Sequence, residues 1–116
     1  SEGGPEAEAR QLAARYEAAY GDRHPEFFEG SWAQALAHAG EEYKLLLVYP
    51  HAPHHDDTDH LCRRVLCSDA LLRVAERDFV SWAGSLSTPG AYALAAELGI
   101  AGLPALAVVM PAAGPG

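Results

Sequence analysis

The sequence predicts an α/β fold in which a central, mostly parallel sheet is flanked by helices. Three short apolar runs, KLLLVY, FVSWA and ALAVVM, have the composition of strands buried on both faces. Segments with a helical spacing of apolar residues precede the first run and separate the others. The order is therefore α-α-β-α-β-α-β, and helical crossovers of this kind join parallel strands. A chain of 116 residues suits one domain with its own core.

Two helices are predicted ahead of the first strand. After a flexible tail over residues 1–5, the first helix ends before Gly21, a residue type that favours helix ends. Ser31 and Gln34 fit the S-x-x-Q capping box of a second helix, which we expect to stop at Gly40. The apolar face of the first helix is made of Ala9, Leu12, Ala13, Tyr16 and Tyr20.

The middle of the chain predicts a strand followed by two helical segments. Residues 44–49 form the first strand. After the histidine-rich segment, Asp57 or Thr58 is expected to cap one helix, and Ser68 is expected to cap the next. The apolar positions of these helices are Leu61, Cys62, Val65 and Leu66, then Leu71, Leu72 and Ala75.

The last part of the chain predicts two more strands around one helix. Residues 79–83 form the second strand, and residues 105–110 form a third buried strand. Thr88 and Pro89 provide a cap and a proline at the first helical position, and the helix is expected to end at Gly99. Its apolar residues are Tyr92, Ala95, Ala96 and Leu98.

Charge and composition exclude several classes of partner. Sixteen acidic residues against eight Lys and Arg give a formal net charge of −8, which argues against a nucleic-acid partner. No apolar run approaches the ~20 residues that span a bilayer, so no membrane span is expected. Two cysteines beside so much apolar core favour a reducing compartment, the cytoplasm. The ends SEGGPEAE and PAAGPG are typical of a piece of a longer protein, with any anchor elsewhere.

Residues 51–67, HAPHHDDTDHLCRRVLC, raise the question of a metal site. A structural zinc site normally shows two close ligand pairs, and no second pair exists here. Asp56, Asp57 and Asp59 lack the glycine and closing glutamate of a calcium loop. We therefore expect no metal and no cofactor, only solvated turns and caps. The zinc-type ligands considered are His51, His54, His55, His60 and Cys62.

The two cysteines of this segment raise the alternative of thiol chemistry. A dithiol site needs C-x-x-C, whereas Cys62 and Cys67 have C-x4-C spacing. Five residues of an α-helix rotate about 500° and separate the two Cα atoms by roughly 7–8 Å, beyond normal disulfide reach. Cys62 lies on the apolar face, which favours a buried, inert thiol. An enzyme that uses Cys62 alone stays open as the alternative.

Four arginines cluster on the polar faces of the middle helices. They are Arg63, Arg64, Arg73 and Arg77. Such a run is typical of a solvated helix surface. The alternative is an anion site that binds carboxylates.

Two resemblances add to these observations. Gly102, Leu103 and Pro104 ahead of ALAVVM are similar to the cis-proline turn before a central strand of thioredoxin-like folds, which predicts a cis Leu103–Pro104 bond. The longer segments YGDRHPEFFEGSWAQAL, LLLVYPHAPHHDDTDHLCRRVLC and FVSWAGSLSTPGAY resemble the UAS domain of the FAS-associated factor 2 (UBX-domain) family. The matching positions are Tyr20, Gly21, His24, Pro25 and Phe27, then His51, His55, Asp57, Asp59, Cys62 and Cys67.

The UAS resemblance implies a domain division and a fold. Residues 1–20 would be the N-terminal tail and helix, and residues 21–116 the UAS domain. The fold would be thioredoxin-like without the redox pair. The fold normally continues with an antiparallel strand and a final helix, so the C-terminal strand and helix are expected to be missing from this chain.

The same resemblance implies a non-enzymatic adaptor of the ubiquitin pathway. Full-length members carry a ubiquitin-binding domain and a UBX domain that recruits the valosin-containing ATPase, with a role in endoplasmic-reticulum-associated degradation. Some members lie on the endoplasmic reticulum or lipid droplets through a hydrophobic hairpin outside this domain. UAS domains bind long-chain unsaturated fatty acids through basic residues and self-associate in response. Here Arg63, Arg64, Arg73 and Arg77 are the candidates for the carboxylate. The alternative is a thiol enzyme of the thioredoxin superfamily using Cys62.

Overall fold

A computed structural model describes residues 4–52, 57–100, 102 and 104–112 of the chain. Within these ranges the elements are a set of α-helices, one π-helical turn and a small sheet. In chain order they are α1 (Gly4–Tyr20), α2 (Trp32–Glu41), β1 (Leu45–His51), α3 (Thr58–His60), the π-helical turn Leu61–Val65, α4 (Asp69–Asp78), β2 (Phe79–Ser85), α5 (Pro89–Glu97) and β3 (Ala107–Val109).

The sheet confirms the predicted α/β class and corrects the direction of its third strand. The strand order is β2-β1-β3. β1 and β2 are parallel along their whole length, from the Leu45–Phe79 pair to the His51–Ser85 pair. β3 is antiparallel to β1, because it starts opposite Val48 and ends opposite Leu46. The predicted parallel third strand is therefore wrong, since an apolar run indicates burial but contains no information on strand direction.

The third strand is also shorter and more exposed than the sequence predicts. β3 covers only Ala107–Val109 of the expected residues 105–110. It lies at an edge of the sheet, and the side chain of Val108 is 56% exposed. A short edge strand has one neighbour and one covered face, which is why an apolar sequence here does not give a buried strand.

The core has two parts, one on each face of the sheet. On one face, Val48 and Trp82 pack with the buried residues of α2 and α5. On the other face, Tyr49 and Ala83 pack with α1 and the π-helical turn. Because α1 supplies buried core residues, it is part of the packed unit, and the predicted boundary between residues 20 and 21 stays a prediction.

The helix caps follow the predictions with two exceptions. Ser31 and Gln34 form the predicted capping box, and the Ser68 hydroxyl accepts from the Leu71 N–H. Thr88 instead donates its hydroxyl to the Ser85 carbonyl oxygen at 2.7 Å. Thr58 donates to the Ala52 carbonyl oxygen at 2.7 Å, which ties the start of α3 to the end of β1.

Two predicted helix boundaries and the buried residues of one helix differ from the structure. α1 begins at Gly4, so the helix includes part of the predicted tail. α2 runs one residue past Gly40, and the left-handed residue after it is Tyr43, with φ of 56° and a fully solvated side chain. The buried residues of α5 are Ala91 and Leu94. Of the predicted apolar residues, Leu98 packs against the core, whereas Tyr92 and Ala96 are exposed, because a helix so rich in apolar residues gives little periodic signal.

No helix in the described part of the chain combines the length and apolar character needed to cross a bilayer.

Candidate functional site

The candidate site lies at the carboxyl end of β1, where the histidine-rich segment begins. Tyr49 and His51 are two residues apart on this strand, so their side chains lie on the same face of the sheet. The π-helical turn brings Cys62 to that face, and α1 brings Tyr16. The side chains of Tyr49, His51, Cys62 and Tyr16 are all buried.

A single hydroxyl connects the two residues that could carry chemistry. The Tyr49 hydroxyl lies 2.7 Å from His51 Nδ1 and 3.3 Å from Cys62 Sγ. A neutral thiol donates to the hydroxyl oxygen, and the hydroxyl then donates to an unprotonated Nδ1. This direction satisfies all three groups without any buried charge.

Burial keeps each of these groups in its neutral form. Burial raises the pKa of the Cys62 thiol, and the neighbouring Tyr49 hydroxyl offsets only part of that effect. Burial likewise raises the pKa of Tyr49. Burial lowers the pKa of His51 below its ordinary 6.5, and the positive charge of Arg15 lowers it further. A nucleophilic cysteine needs the opposite environment, one that favours the thiolate.

The two cysteines are separate free thiols, as the C-x4-C spacing predicts. Cys62 is buried against Tyr49, whereas the half-buried Cys67 donates its S–H to the Arg63 carbonyl oxygen at 2.9 Å. The predicted regular α-helix is wrong here, because α3 passes into the π-helical turn after three residues. A π-helical turn has i→i+5 hydrogen bonds, and this one has the Leu66 N–H to Leu61 carbonyl bond at 2.9 Å.

Tyr16 is the residue of the site that sequence reasoning assigned only to the core. Its hydroxyl is buried and has no hydrogen-bond partner among the residues placed by the structure. Burial raises its pKa, and the nearby Cys62 sulfur adds to that effect although the two atoms lack hydrogen-bonding geometry. Its ring packs edge-on against His51, with ring centroids 5.9 Å apart.

The His-Pro-x-Phe motif holds α1 against this cluster. His24 Nε2 lies 2.7 Å from the Glu17 carboxylate, and Nδ1 donates to the Pro25 carbonyl oxygen at 2.6 Å. The imidazole stacks on Phe27 at 4.7 Å between centroids and contacts Tyr16 edge-on. The motif therefore has a structural role: it attaches the segment after α1 to the buried cluster. The resemblance to a family pattern marks these residues, but it does not give this role.

Asp59 and Arg63 fasten the start of the helical segment to the end of α1. The Tyr20 hydroxyl donates to Asp59 Oδ1 at 2.5 Å, and burial together with this bond raises the pKa of Tyr20 to about 12. The Arg63 guanidinium lies over the Tyr20 ring, 5.1 Å from its centroid, and donates to the Ala19 carbonyl oxygen at 3.4 Å. These contacts give Tyr20 and Asp59, two of the family-motif positions, a packing role.

The four predicted arginines have different surroundings. Arg63 donates to the Ala19 carbonyl oxygen of α1, and Arg77 donates to both carboxylate oxygens of Asp78, at 3.2 Å to Oδ1 and 2.9 Å to Oδ2. Arg64 and Arg73 are exposed on the helix surface. A fifth arginine, Arg23, was missed: it donates to the Cys67 carbonyl oxygen at 3.2 Å and pairs with Asp69. The predicted carboxylate-binding role stays a prediction.

Several predicted positions fall outside the described residues. His54, His55 and Asp56 belong to the gap after Ala52, and Leu103 belongs to a gap beside Pro104, so the predicted cis bond lies outside as well. Asp57 precedes α3 at the N-cap position without a side-chain capping bond. Across the ranges that are described, no three His, Cys, Asp or Glu side chains come together as metal ligands.

The fold and the buried thiol define a thioredoxin-like domain that lacks the dithiol pair. A solution structure of a thioredoxin from Thermus thermophilus matches with a TM-score of 0.64 and 28% identity, covering 73% of this chain and 65% of the other. The resemblance in fold is therefore confirmed.

The sequence comparisons identify the family within that class. The family model described as Fas-associated factor 1 matches residues 12–110. FAS-associated factor 2 of Rattus norvegicus and of Homo sapiens are each 36% identical over 95 residues, which are 82% of this chain but 28% and 21% of those proteins. Plant UBX domain-containing protein 10 of Arabidopsis thaliana is 34% identical over 109 residues, 91% of this chain and 23% of that protein. The chain belongs to the Fas-associated factor family, and spans about a quarter or less of these relatives.

Proposed function

We propose that this chain is the non-catalytic UAS domain of a UBX-type adaptor protein. The observation that carries the proposal is the state of Cys62, which is 1% exposed and has a raised pKa caused by burial. A thiol enzyme of the thioredoxin superfamily needs an accessible thiolate at this position. The family membership adds support, because the relatives are factors associated with other proteins and UBX-domain proteins by name.

In this proposal the domain acts within a longer protein on the ubiquitin pathway. Other parts of that protein recruit the valosin-containing ATPase and serve endoplasmic-reticulum-associated degradation. The protein is cytoplasmic, and regions outside this chain place it on the cytosolic face of the endoplasmic reticulum or on lipid droplets. The support is the match of residues 12–110 to the family model described as Fas-associated factor 1.

A binding assay with the purified valosin-containing ATPase tests the adaptor role. The full-length gene product is expected to bind the ATPase, whereas this 116-residue chain alone is expected not to bind. The proposal would be contradicted if the ATPase did not bind the full-length product, or if it bound the isolated chain equally well.

We also propose that the domain binds long-chain unsaturated fatty acids and self-associates in response. In a chain with a net charge of −8, the arginine cluster is a local site that attracts carboxylates. All four arginines are exposed, but Arg63 lies over the Tyr20 ring and Arg77 shares its charge with Asp78, so Arg64 and Arg73 are the candidates for charge reversal. The half-exposed Val74 lies between Arg73 and Arg77 in sequence and adds an apolar contact for an acyl chain.

Sedimentation with oleate, and with stearate as the saturated acid of equal length, tests this lipid response. Oleate is expected to increase the mass of the wild-type domain, and Arg64→Glu with Arg73→Glu is expected to abolish the increase. Arg10→Glu, a charge reversal at an exposed site on α1, is the matched control. An unchanged response in the double variant would exclude these two arginines, and equal responses to both acids would exclude selectivity for unsaturated chains.

A further inference from the structure

A cleft lies along the outer edge of β2 and shares Leu12 and Ala83 with the core cluster that contains Cys62. Its volume is ≈ 380 Å³, within the range of roughly 300–1,000 Å³ that is usual for ligand sites. One wall is α1, with Leu12, and the other contains Trp32 and Ala91 at the beginnings of α2 and α5. The floor is the carboxyl-terminal half of β2.

The backbone of β2 alternates in direction, which identifies the groups that face outward. The Leu86 N–H donates to the His51 carbonyl oxygen, so the even-numbered residues direct their backbone groups toward β1. The Ser81 carbonyl oxygen instead accepts from the Phe28 N–H at 2.7 Å, on the opposite side. Ala83 is two residues further along, and its N–H and carbonyl groups therefore point outward as well.

Ala83 is the unpaired position of this edge. The outward-facing residues on either side of it in β2 have hydrogen-bond partners. Ser81 pairs with the segment at Phe27, and the Ser85 carbonyl oxygen accepts from the Thr88 N–H at 2.9 Å. Over residues 4–52, 57–100, 102 and 104–112, no backbone group bonds the outward N–H or carbonyl of Ala83, a residue that is 5% exposed at the floor of the cleft. An unpaired donor and acceptor on an edge strand form a template for another strand.

The cleft surrounds this unpaired edge with apolar surface. Trp82, Ala83, Gly84 and Ser85 all line it, and since successive side chains of a strand alternate faces, the cleft wraps around the strand edge. Trp82 and Leu12 then form apolar walls on the two sides. The Trp82 indole N–H donates to the Gly30 carbonyl oxygen at 2.9 Å, so Trp82 presents only its apolar ring atoms.

We propose that this cleft binds an extended segment of a partner protein, which pairs its backbone with Ala83 and directs successive side chains toward Trp82 on one face of the sheet and Leu12 on the other. This inference rests on the proposed adaptor function and adds the surface that the partner contacts. A peptide has the alternating N–H and carbonyl groups that an open strand edge accepts. A hydrocarbon chain has no donor or acceptor that could pair with the Ala83 groups.

Gly90 allows the cleft to be blocked without disturbing the fold. It lines the cleft in the first turn of α5, and a Cβ at this position would meet no atom within 4 Å. Gly90→Leu therefore adds a large side chain at the lining of the cleft, with no close contact to its Cβ. Gly90→Ala controls for loss of the glycine, and Ala93→Leu adds the same side chain at an exposed position of the same helix.

A library of random linear hexapeptides displayed on phage, selected on the wild-type domain, tests the proposal. Enriched peptides are expected to bind Gly90→Leu at least about tenfold more weakly, and to bind Gly90→Ala and Ala93→Leu like the wild type. Binding is also expected to slow hydrogen exchange of the Ala83 amide, and backbone N-methylation of the peptide should abolish binding. Circular dichroism of each variant checks the fold.

Three results would overturn the proposal. One is that no peptide distinguishes the wild type from Gly90→Leu. Another is that bound peptides leave exchange of the Ala83 amide unchanged. The last is that oleate binds in the cleft, is blocked by Gly90→Leu, and no peptide does the same. Gly90→Leu is expected to leave binding of the full-length product to the valosin-containing ATPase unchanged. The ATPase assay therefore tests the adaptor role, and the peptide assay tests this cleft, independently of each other.

Discussion

Tyr49 connects the two residues of the site that could carry chemistry, because its hydroxyl contacts both His51 Nδ1 and Cys62 Sγ. The sequence marks His51 and Cys62 by their type, but Tyr49 is hidden in the apolar run of β1. Tyr16 contributes a second buried hydroxyl that lacks a partner among the residues described. Within the described part of the chain, the Tyr49 hydroxyl is therefore hydrogen-bonded and the Tyr16 hydroxyl is not. Replacing each tyrosine by phenylalanine compares the loss of a bonded hydroxyl with the loss of an unbonded one.

Tyr49→Phe is expected to destabilise the domain by about 1–3 kcal/mol, because His51 and Cys62 lose their shared partner inside the core. Tyr16→Phe, the matched variant, removes a buried hydroxyl without a hydrogen bond and is expected to be neutral or stabilising. Urea unfolding of both variants measures the difference. Equal losses of stability would contradict the assignment of the hydrogen bonds.

His51 is expected to make the stability of the domain depend on pH. Its pKa is lowered on folding, so the unfolded chain binds a proton that the folded chain does not. Stability conferred by the neutral ring is therefore present above the unfolded pKa of about 6.5 and decreases as the pH falls below it. Unfolding midpoints between pH 7.5 and pH 5 should fall more for the wild type than for His51→Gln. Parallel curves would contradict this account.

At the scale of secondary-structure elements, local sequence signals predict where α2 and α4 begin, but they do not predict the type of helix within a segment. Ser31 and Ser68 cap α2 and α4 as predicted, because a cap depends on residues three positions apart. The π-helical turn Leu61–Val65 was not predictable from local signals, because the residues around its start bond to distant tyrosines: Cys62 to Tyr49 and Asp59 to Tyr20. Those partners lie far away in the sequence.

Ser31→Ala is expected to cost about 0.5–2 kcal/mol, since the Gln34 N–H loses its acceptor at the start of α2. Ser31→Asp retains an acceptor at the cap and is expected to keep most of the stability. Thermal unfolding followed by circular dichroism compares the two variants. A capping role would be contradicted if Ser31→Ala and Ser31→Asp melted alike.

At the scale of the whole molecule, the α/β class and the parallel β1–β2 pair were predictable, and the arrangement around them was not. Buried runs and crossover helices indicate a sheet, but they do not reveal that β3 runs antiparallel at an exposed edge. The same limit applies to the site. His51 and Cys62 were predicted by residue type, whereas the contribution of α1 through Tyr16 depends on a contact across the fold.

Deletion of residues 1–20 is expected to abolish cooperative folding. Leu12 and Tyr16 are buried beneath the sheet, and each such side chain contributes about 1.5–3 kcal/mol. Together they make up a large share of the 5–15 kcal/mol typical of a domain. A sharp thermal transition in the shortened chain, near that of the wild type, would instead support the predicted boundary between residues 20 and 21.

The reactivity of the Cys62 thiol tests most directly the claim that this thioredoxin-like domain is an adaptor and not an enzyme. A Cys67→Ser variant leaves Cys62 as the sole cysteine, and its alkylation by iodoacetamide is followed by mass spectrometry near neutral pH. Burial and the raised pKa predict that the native protein reacts far more slowly than the urea-unfolded chain. Rapid modification of native Cys62, at or above the rate in the unfolded chain, would contradict the account.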